Sequence, residues 1–418
     1  MSLYEEADGI LDTHVQWNDI QEEMQKKLKT NAVFGEGKQA INISDMKGFS
    51  SRIALIHPDW CGSDDVDRLP KMFCVKMSSQ LQMKMVSKIM ETGQEFDNDK
   101  NDKLSYAIRE VHNREVDAYN LLMKFNHANI PLTKIYATKK FENEQDLKGY
   151  IITSYVEGIV SIGMHQSIPI DNIYTIVRAI GTLAGLGQQM TDEQLAFCSG
   201  PDFTQRAFNE FFDEKARESM NNSIRKEFPI EFKDKIDKLI DINEHYSSDR
   251  IIRRYTNIKE YGFALVLNHG DLWSANMLFT KNDSDNYELN AIIDWQLTTR
   301  NSPGYDLSRL LIGSLTTNDR RIHKKNILEL YYNTFKQIHG ANPPFSLQEL
   351  FDSYHLFLPI MSMFVISGVI SFKQYADVQG KEREEMESQC MDKLQGIVED
   401  VLEAHEYNLQ HHPNIVFI

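Results

Sequence analysis

Two textures alternate along the chain. Between residues 40 and 156 the apolar positions come in short runs. Residues 40–44 and 51–57 alternate or run apolar around a polar turn at 45–50, which is the signal of a β-hairpin. Residues 72–77 read as a third strand with Lys76 at its end. Residues 135–138 and 149–156 add two more around the charged turn 142–148. Within residues 104–125, Ile108, Val111, Ala118 and Leu122 share one helical face, and Glu115 lies on that face too. A carboxylate in an apolar stripe is costly to desolvate unless it is paired. Lys76 is the economical partner; the alternative puts Glu115 at the edge of the stripe, reaching water. The pattern predicts a five-stranded antiparallel sheet with one main helix. Residues 1–30 precede it with the spacing of an amphipathic helix or two.

Beyond residue 157 the helical period takes over. It runs through 173–190, 203–220, 232–246, 322–339, 347–373 and 382–408. In the first of these, Gly181, Ala184 and Gly185 make one face small enough to pack closely on another helix. Strand texture returns only around residues 265–279 and 291–296. The chain is therefore expected to be α+β, divided into an N-terminal helical extension (1–35), a β-rich lobe (36–157) and a mainly helical lobe (158–418).

The recurring strand texture carries the chemistry. Two apolar runs flank a polar loop holding Asp271 and, five residues on, Asn276; Asp294 ends the second run. Phosphoryl transfer asks mainly for positioning: a lysine on the phosphates, oxygen ligands for magnesium, and a carboxylate to accept the hydroxyl proton. Lys76, Glu115, Asp271, Asn276 and Asp294 supply that set in order. Asp271 is the expected base, and Asn276 and Asp294 the expected magnesium ligands. His269 is expected to support the loop by hydrogen bonds.

Composition narrows the partners. The 418 residues carry a net charge of -16, which argues against nucleic acid or anionic membrane as a partner while leaving a nucleotide open. The four cysteines are scattered with no metal-ligand spacing, as in a cytoplasmic protein. The N-terminus shows no secretory signal. Residues 353–372 lack Asp, Glu, Lys and Arg, but a proline, a glycine and serines dilute them, so a buried helix is expected over a membrane span.

The run His269, Gly270, Asp271, Leu272, Trp273, Ser274, Ala275, Asn276, followed by Ile292, Ile293, Asp294, Trp295, Gln296, resembles the Brenner motif and metal aspartate of the aminoglycoside phosphotransferase and choline kinase superfamily. With residues 47–52 and 69–77, it looks most like the CHK kinase-like proteins, related to ecdysteroid kinases, and their nematode branch. That resemblance covers roughly residues 35–400. It implies a bilobal protein-kinase-like fold with ATP in the cleft between the lobes and Mg2+ as cofactor. It makes Lys76 the phosphate-binding lysine, Glu115 its helix partner, Asp271 the catalytic aspartate, and Asn276 and Asp294 the metal ligands. Backbone groups of Ser154 and Val156 would meet adenine. Gly48, Ser50 and Ser51 stand where a glycine-rich loop would cover the phosphates. Asp306 is expected to cap a helix or brace the catalytic loop.

Trp273 stands where protein serine kinases usually carry lysine, and the metal motif reads Asp-Trp-Gln. Both point to a small hydroxylated acceptor. Trp273, Trp295 and the stripe of Tyr354, Phe357, Met361, Met363 and Phe364 are the candidates for its pocket, the acceptor being a sterol-like or choline-like alcohol. The expected function is ATP/Mg-dependent transfer of a γ-phosphate to such an alcohol. The alternative is a pseudokinase or nucleotide-binding scaffold without turnover. No oligomeric state is predicted.

Overall fold

A computed structural model describes residues 2–44, 50–83, 98–198 and 214–417. The chain forms two compact units: residues 1–126, 132–159 and 290–297 in the first, and 127–131, 160–289 and 298–418 in the second.

The first unit is built on strands β1 (Val33–Phe34), β2 (Gln39–Asn42), β3 (Ser51–His57), β4 (Trp60–Cys61), β5 (Phe73–Ser78), β6 (Ile135–Lys139) and β7 (Tyr150–Ser154). Five of them make the expected antiparallel sheet, in the order β2-β3-β5-β7-β6, while β1 and β4 pair as a separate ribbon. Side chains alternate across β5 with period two. Phe73, Val75 and Met77 are fully buried in a core shared with Ala54, Ile56 and Ile152, and with Ile20 and Met24 of the Trp17–Leu28 helix. Lys76 therefore points to the other face. It sits opposite Ile53 of β3 and Ile151 of β7.

The Asn98–Phe125 helix belongs to the same unit, with Ile108, Val116, Tyr119 and Leu122 buried. His112 ties it to the sheet: one ring nitrogen meets Ser78 Oγ at 2.8 Å and the other meets the Lys139 carbonyl at 2.8 Å. A carbonyl only accepts, so Nε2 carries the proton and Nδ1 accepts from the serine hydroxyl. Burial holds His112 well below the ordinary histidine range, at about 4.

The second unit is mainly helical, so the α+β expectation of a five-stranded sheet and a helical part holds. Its strands are β8 (Val266–Asn268) and β9 (Met277–Lys281); β10 (Tyr287–Ile292) pairs with β9 and runs on into the first unit, and β11 (Thr299–Asn301) pairs antiparallel with β8. The helices Ile170–Gly187 and Thr317–His339 meet through the small face expected of Gly181 and Gly185. A Cβ on Gly185 would lie 2.8 Å from the Ile338 side chain, and one on Gly181 would lie 3.1 Å from the Tyr331 carbonyl oxygen.

The Leu347–Tyr375 helix starts from a capping box of Ser346 and Glu349. Its length and composition would let it cross a membrane, and 67% of its most apolar window is buried in the protein. The Gly304–Ser314 helix rests on it so closely that a Cβ on Gly304 would sit 2.3 Å from the Ser353 backbone. The Gly304 N–H donates to Ser353 Oγ at 2.7 Å.

The pattern missed β11, the β1–β4 ribbon and the Asp249–Thr256 helix. That helix spans only two turns and mixes Ile251, Ile252 and Tyr255 with three arginines, too short for a period to stand out. Of the helix expected over 203–220, residues 203–213 lie outside the described residues. The described part runs Glu214–Glu227.

Candidate active site

Within the first unit, the turn of chain after β10 meets the sheet and its helix around one ammonium. Lys76 Nζ lies 2.7 Å from Glu115 Oε2 and 2.5 Å from Asp294 Oδ1. The Glu115 side chain is 2% exposed, so its charge needs both the lysine and the Trp295 N–H that also faces it. Burial opposes the charge on Lys76, but the carboxylates of Asp294 and Glu115 outweigh it and hold the ammonium above the ordinary lysine range. Burial pushes Glu115 up, and Lys76 offsets only part of that.

Asp294 adopts a left-handed backbone, φ 65°, which aspartate tolerates better than most residues. Its second oxygen accepts from Gln296 Nε2 at 3.2 Å. Tyr119, one helical turn after Glu115, presents its hydroxyl to the Asp294 backbone. Helix, strand and turn are thus joined through ionised and hydrogen-bonded groups at one point.

Within the second unit, the loop after β8 is held from below by the Gly304–Ser314 helix. Asp306 is fully buried and accepts from two successive loop amides, His269 N–H at 2.6 Å and Gly270 N–H at 2.9 Å. Burial raises its pKa, while charge interaction with His269 and the two amides work the other way. The Asp271 N–H donates to His269 Nδ1 at 3.2 Å, so His269 takes part in the loop's own bonding. Asn276 Nδ2 donates to the Asp271 carbonyl at 2.9 Å and to its Oδ2 at 3.2 Å. Arg309 Nη2 takes the remaining carboxylate oxygen at 3.0 Å.

A family model described as Uncharacterized oxidoreductase dhs-27 (DUF1679) matches residues 3–409. The chain belongs to this family. The chain also resembles the Uncharacterized kinase-like protein D1044.1 of Caenorhabditis elegans, with 22% identity over 317 residues, 73% of this chain and 80% of that protein. Among solved structures it is similar to the GDP complex of wild-type aminoglycoside 2'-phosphotransferase-IIIa (13% identity, 94% of this chain and 99% of that one, TM-score 0.39). An ethanolamine kinase of Plasmodium vivax gives 13% identity, 87% and 82% coverage and a TM-score of 0.39. These overlaps do not decide the fold; the sheet, its lysine and the helical unit do.

The remaining expected site residues of this DUF1679 chain fall unevenly. Val156 lies just past β7, and its backbone groups make no hydrogen bond among the described residues. Ser154 is different: its N–H already donates to the Lys134 carbonyl at 2.8 Å, so it is not available to an adenine ring. Gly48 lies outside the described residues. Ser50 Oγ donates to Gln296 Oε1 at 3.1 Å, while Ser51 is 3% exposed inside β3, opposite Ser78, which corrects its expected place over a phosphate.

Trp273 is partly exposed and has an indole N–H with no partner among the described residues. Trp295 needs a second correction: it is 1% exposed and its indole donates to the Ile292 carbonyl at 3.0 Å, so its ring belongs to the core. In the apolar helix, Tyr354, Phe357, Met361 and Met363 are buried, and only Phe364 is partly open. Arg309 and Tyr119 were not among the expected residues. Both had a signal, a spacing of three from Asp306 and of four from Glu115, which puts each on the face of an already suspected carboxylate.

Proposed function

We propose that the protein is an ATP- and magnesium-dependent small-molecule kinase that transfers a γ-phosphate to the hydroxyl of a small organic acceptor. The observation that carries this reading is the Lys76 ammonium held at once by Glu115 and Asp294, at 2.7 and 2.5 Å. A lysine so held is oriented, charged and ready to meet α- and β-phosphates. In this reading Val156 offers its free backbone to the adenine, and Asp271 takes the proton of the acceptor hydroxyl. Asp306 and His269 keep the loop of Asp271 in shape.

Magnesium fits the donors present. It takes oxygen ligands, usually one or two carboxylates with waters and substrate phosphates, and needs no all-protein cage. Asp294 is a carboxylate. Asn276 spends its amide nitrogen on Asp271, which turns its carbonyl oxygen the other way. These two residues would hold the ion, which when bound offsets charge on the β- and γ-phosphates.

The acceptor is a sterol-like or choline-like alcohol. Placement in the CHK kinase-like branch and in the cytoplasm, with neither nucleic acid nor membrane as partner, belongs to the same proposal. The four free thiols suit a reducing compartment.

One observation favours a second reading, a nucleotide-binding scaffold without turnover: Asp294 Oδ1 is already neutralised by Lys76. The Asp271→Asn variant separates the two. Transfer of labelled γ-phosphate to a metabolite library should fall by about 10²–10⁴, with Mg-ATP binding by calorimetry unchanged. Transfer at the wild-type rate refutes the base; binding of Mg-ATP by the wild type without any transfer favours the scaffold. Parallel incubation with NADH and NADPH tests the oxidoreductase named in the family description.

A further inference from the structure

Arg309 stands out among the groups that the proposed chemistry leaves without a role. It lies one turn after Asp306 on the Gly304–Ser314 helix, so a single helix reaches the loop twice. Asp306 holds two loop amides, and Arg309 Nη2 holds Asp271 Oδ1 at 3.0 Å. Asn276 holds Oδ2 at 3.2 Å. With both oxygens engaged from opposite partners, the Asp271 carboxylate cannot rotate about its Cβ–Cγ bond without breaking a charge-assisted hydrogen bond.

The rest of the guanidinium lies over two rings. Its carbon is 6.0 Å from the centre of the Trp273 ring and 5.4 Å from that of Phe364. Nη1 is buried and makes no hydrogen bond among the described residues, and the arginine side chain as a whole is 13% exposed. Asp271 is thus the one carboxylate within ion-pair distance of Arg309 among the described residues. Phe364 begins the less buried stripe of its helix, continued by Ser367, Gly368 and Ser371 at helical spacing.

This arrangement bears on the charge of the acceptor. A quaternary ammonium or protonated amine is held by aromatic faces with a carboxylate nearby. Here an aromatic pair and a carboxylate already surround a cation, and that cation is part of the chain. A second positive charge brought to Asp271 would meet Arg309 within a few ångströms, where repulsion is weakly screened. A neutral or anionic alcohol meets no such opposition.

We propose that Arg309 is a positioning and specificity-determining residue, which fixes the carboxylate of Asp271 for proton acceptance and restricts the acceptor to neutral or anionic alcohols. The proposal rests on the kinase reading and chooses between the acceptor classes it left open.

The test uses the full chain with Mg-ATP and three acceptor probes of different charge: a neutral sterol alcohol, glycerate and choline. Wild type is expected to phosphorylate the sterol or glycerate at least tenfold more efficiently than choline. Arg309→Met should lower kcat for the preferred acceptor by at least tenfold with the KM for ATP unchanged, and should narrow the preference over choline. Arg309→Lys, which keeps the charge but not the planar fork, should recover the charge preference and only part of kcat. Melting temperatures within a few degrees of wild type are the folding control, and if Arg309→Met does not fold the lysine variant decides alone by the same split.

Wild-type kcat in Arg309→Met, or in the lysine variant when it decides alone, overturns the positioning role. Equal or better use of choline by the wild type overturns the charge restriction. A wild type that binds Mg-ATP but phosphorylates no acceptor in these probes or in the metabolite library brings down the kinase reading itself, and this proposal with it.

Discussion

Replacing Lys76 with methionine tests the cluster in the first unit directly. The substitution keeps most of the aliphatic stem and removes the ammonium from Glu115 and Asp294. Asp294 is 22% exposed and can turn to water, whereas Glu115 is 2% exposed and cannot. Its one remaining escape is to take up a proton. Burial already pushes Glu115 from its ordinary 4.5 up to about 7 with the lysine present. In the wild type, therefore, the folded state binds more protons than the unfolded chain between those values, and this group's contribution to stability falls as pH rises through that window.

Without Lys76 the folded pKa moves higher still, so the decline continues beyond pH 7. The gap between wild type and variant should be about 1 kcal/mol or less at pH 6, where Glu115 is mostly neutral in both. It should widen by about 1.4 kcal/mol per pH unit above 7, to about 3 kcal/mol at pH 9. That end point agrees with the ~3–5 kcal/mol expected on orphaning a buried charge.

Urea denaturation at pH 6 and 9, with amide exchange of β5 as a local probe of this unit, reads the gap. Adding Glu115→Gln to the variant should close most of it at pH 9 and change little at pH 6. A gap of equal size at both pH values, or no recovery with glutamine, refutes the argument that Lys76 answers the burial of Glu115.

Two further outcomes follow from buried groups. His112, held at about 4 by burial against an ordinary value of 6.5, binds fewer protons folded than unfolded. Its contribution is whole above pH 6.5 and is lost as pH falls toward 4, a total of about 3 kcal/mol. His112→Gln should flatten that part of the stability curve, and a curve as steep as wild type between pH 7 and 4.5 would dispose of the idea. Asp306→Ala leaves the His269 and Gly270 amides without an acceptor, at about 1–3 kcal/mol each. The melting temperature should drop and phosphate transfer should fall further than the melt accounts for, while Asp306→Asn, with one oxygen kept, lands between. A rate that merely tracks the folded fraction would make Asp306 structural only.

The sheet was legible because its strands alternate cleanly. β5 alone separates Phe73, Val75 and Met77 from Lys76 by period two. Glu115 was legible for an energetic reason: a carboxylate in an apolar stripe makes a demand that only a nearby cation or water can meet, and the strand before the helix ends in one. What could not be read is direction. Trp295 follows Asp294 in the chain, and continuing the strand alternation would have placed it beside the expected metal site. The left-handed turn at Asp294 breaks that alternation, and the indole goes into the core to meet Ile292. Ser154 is similar, since its strand was visible but the prior use of its N–H by Lys134 was not.

Arg309 shows the limit most plainly. An arginine on a helix is by default a solvated charge, and nothing in its own neighbourhood of sequence makes a demand. Only its spacing from Asp306 ties it to the loop, and that tie has meaning only once Asp306 is known to face the loop amides. Residues that create an unmet electrostatic need can thus be found one at a time. Residues that answer a need created elsewhere, as Arg309 answers Asp271, can be found only through the partner, after the backbone has brought the two together.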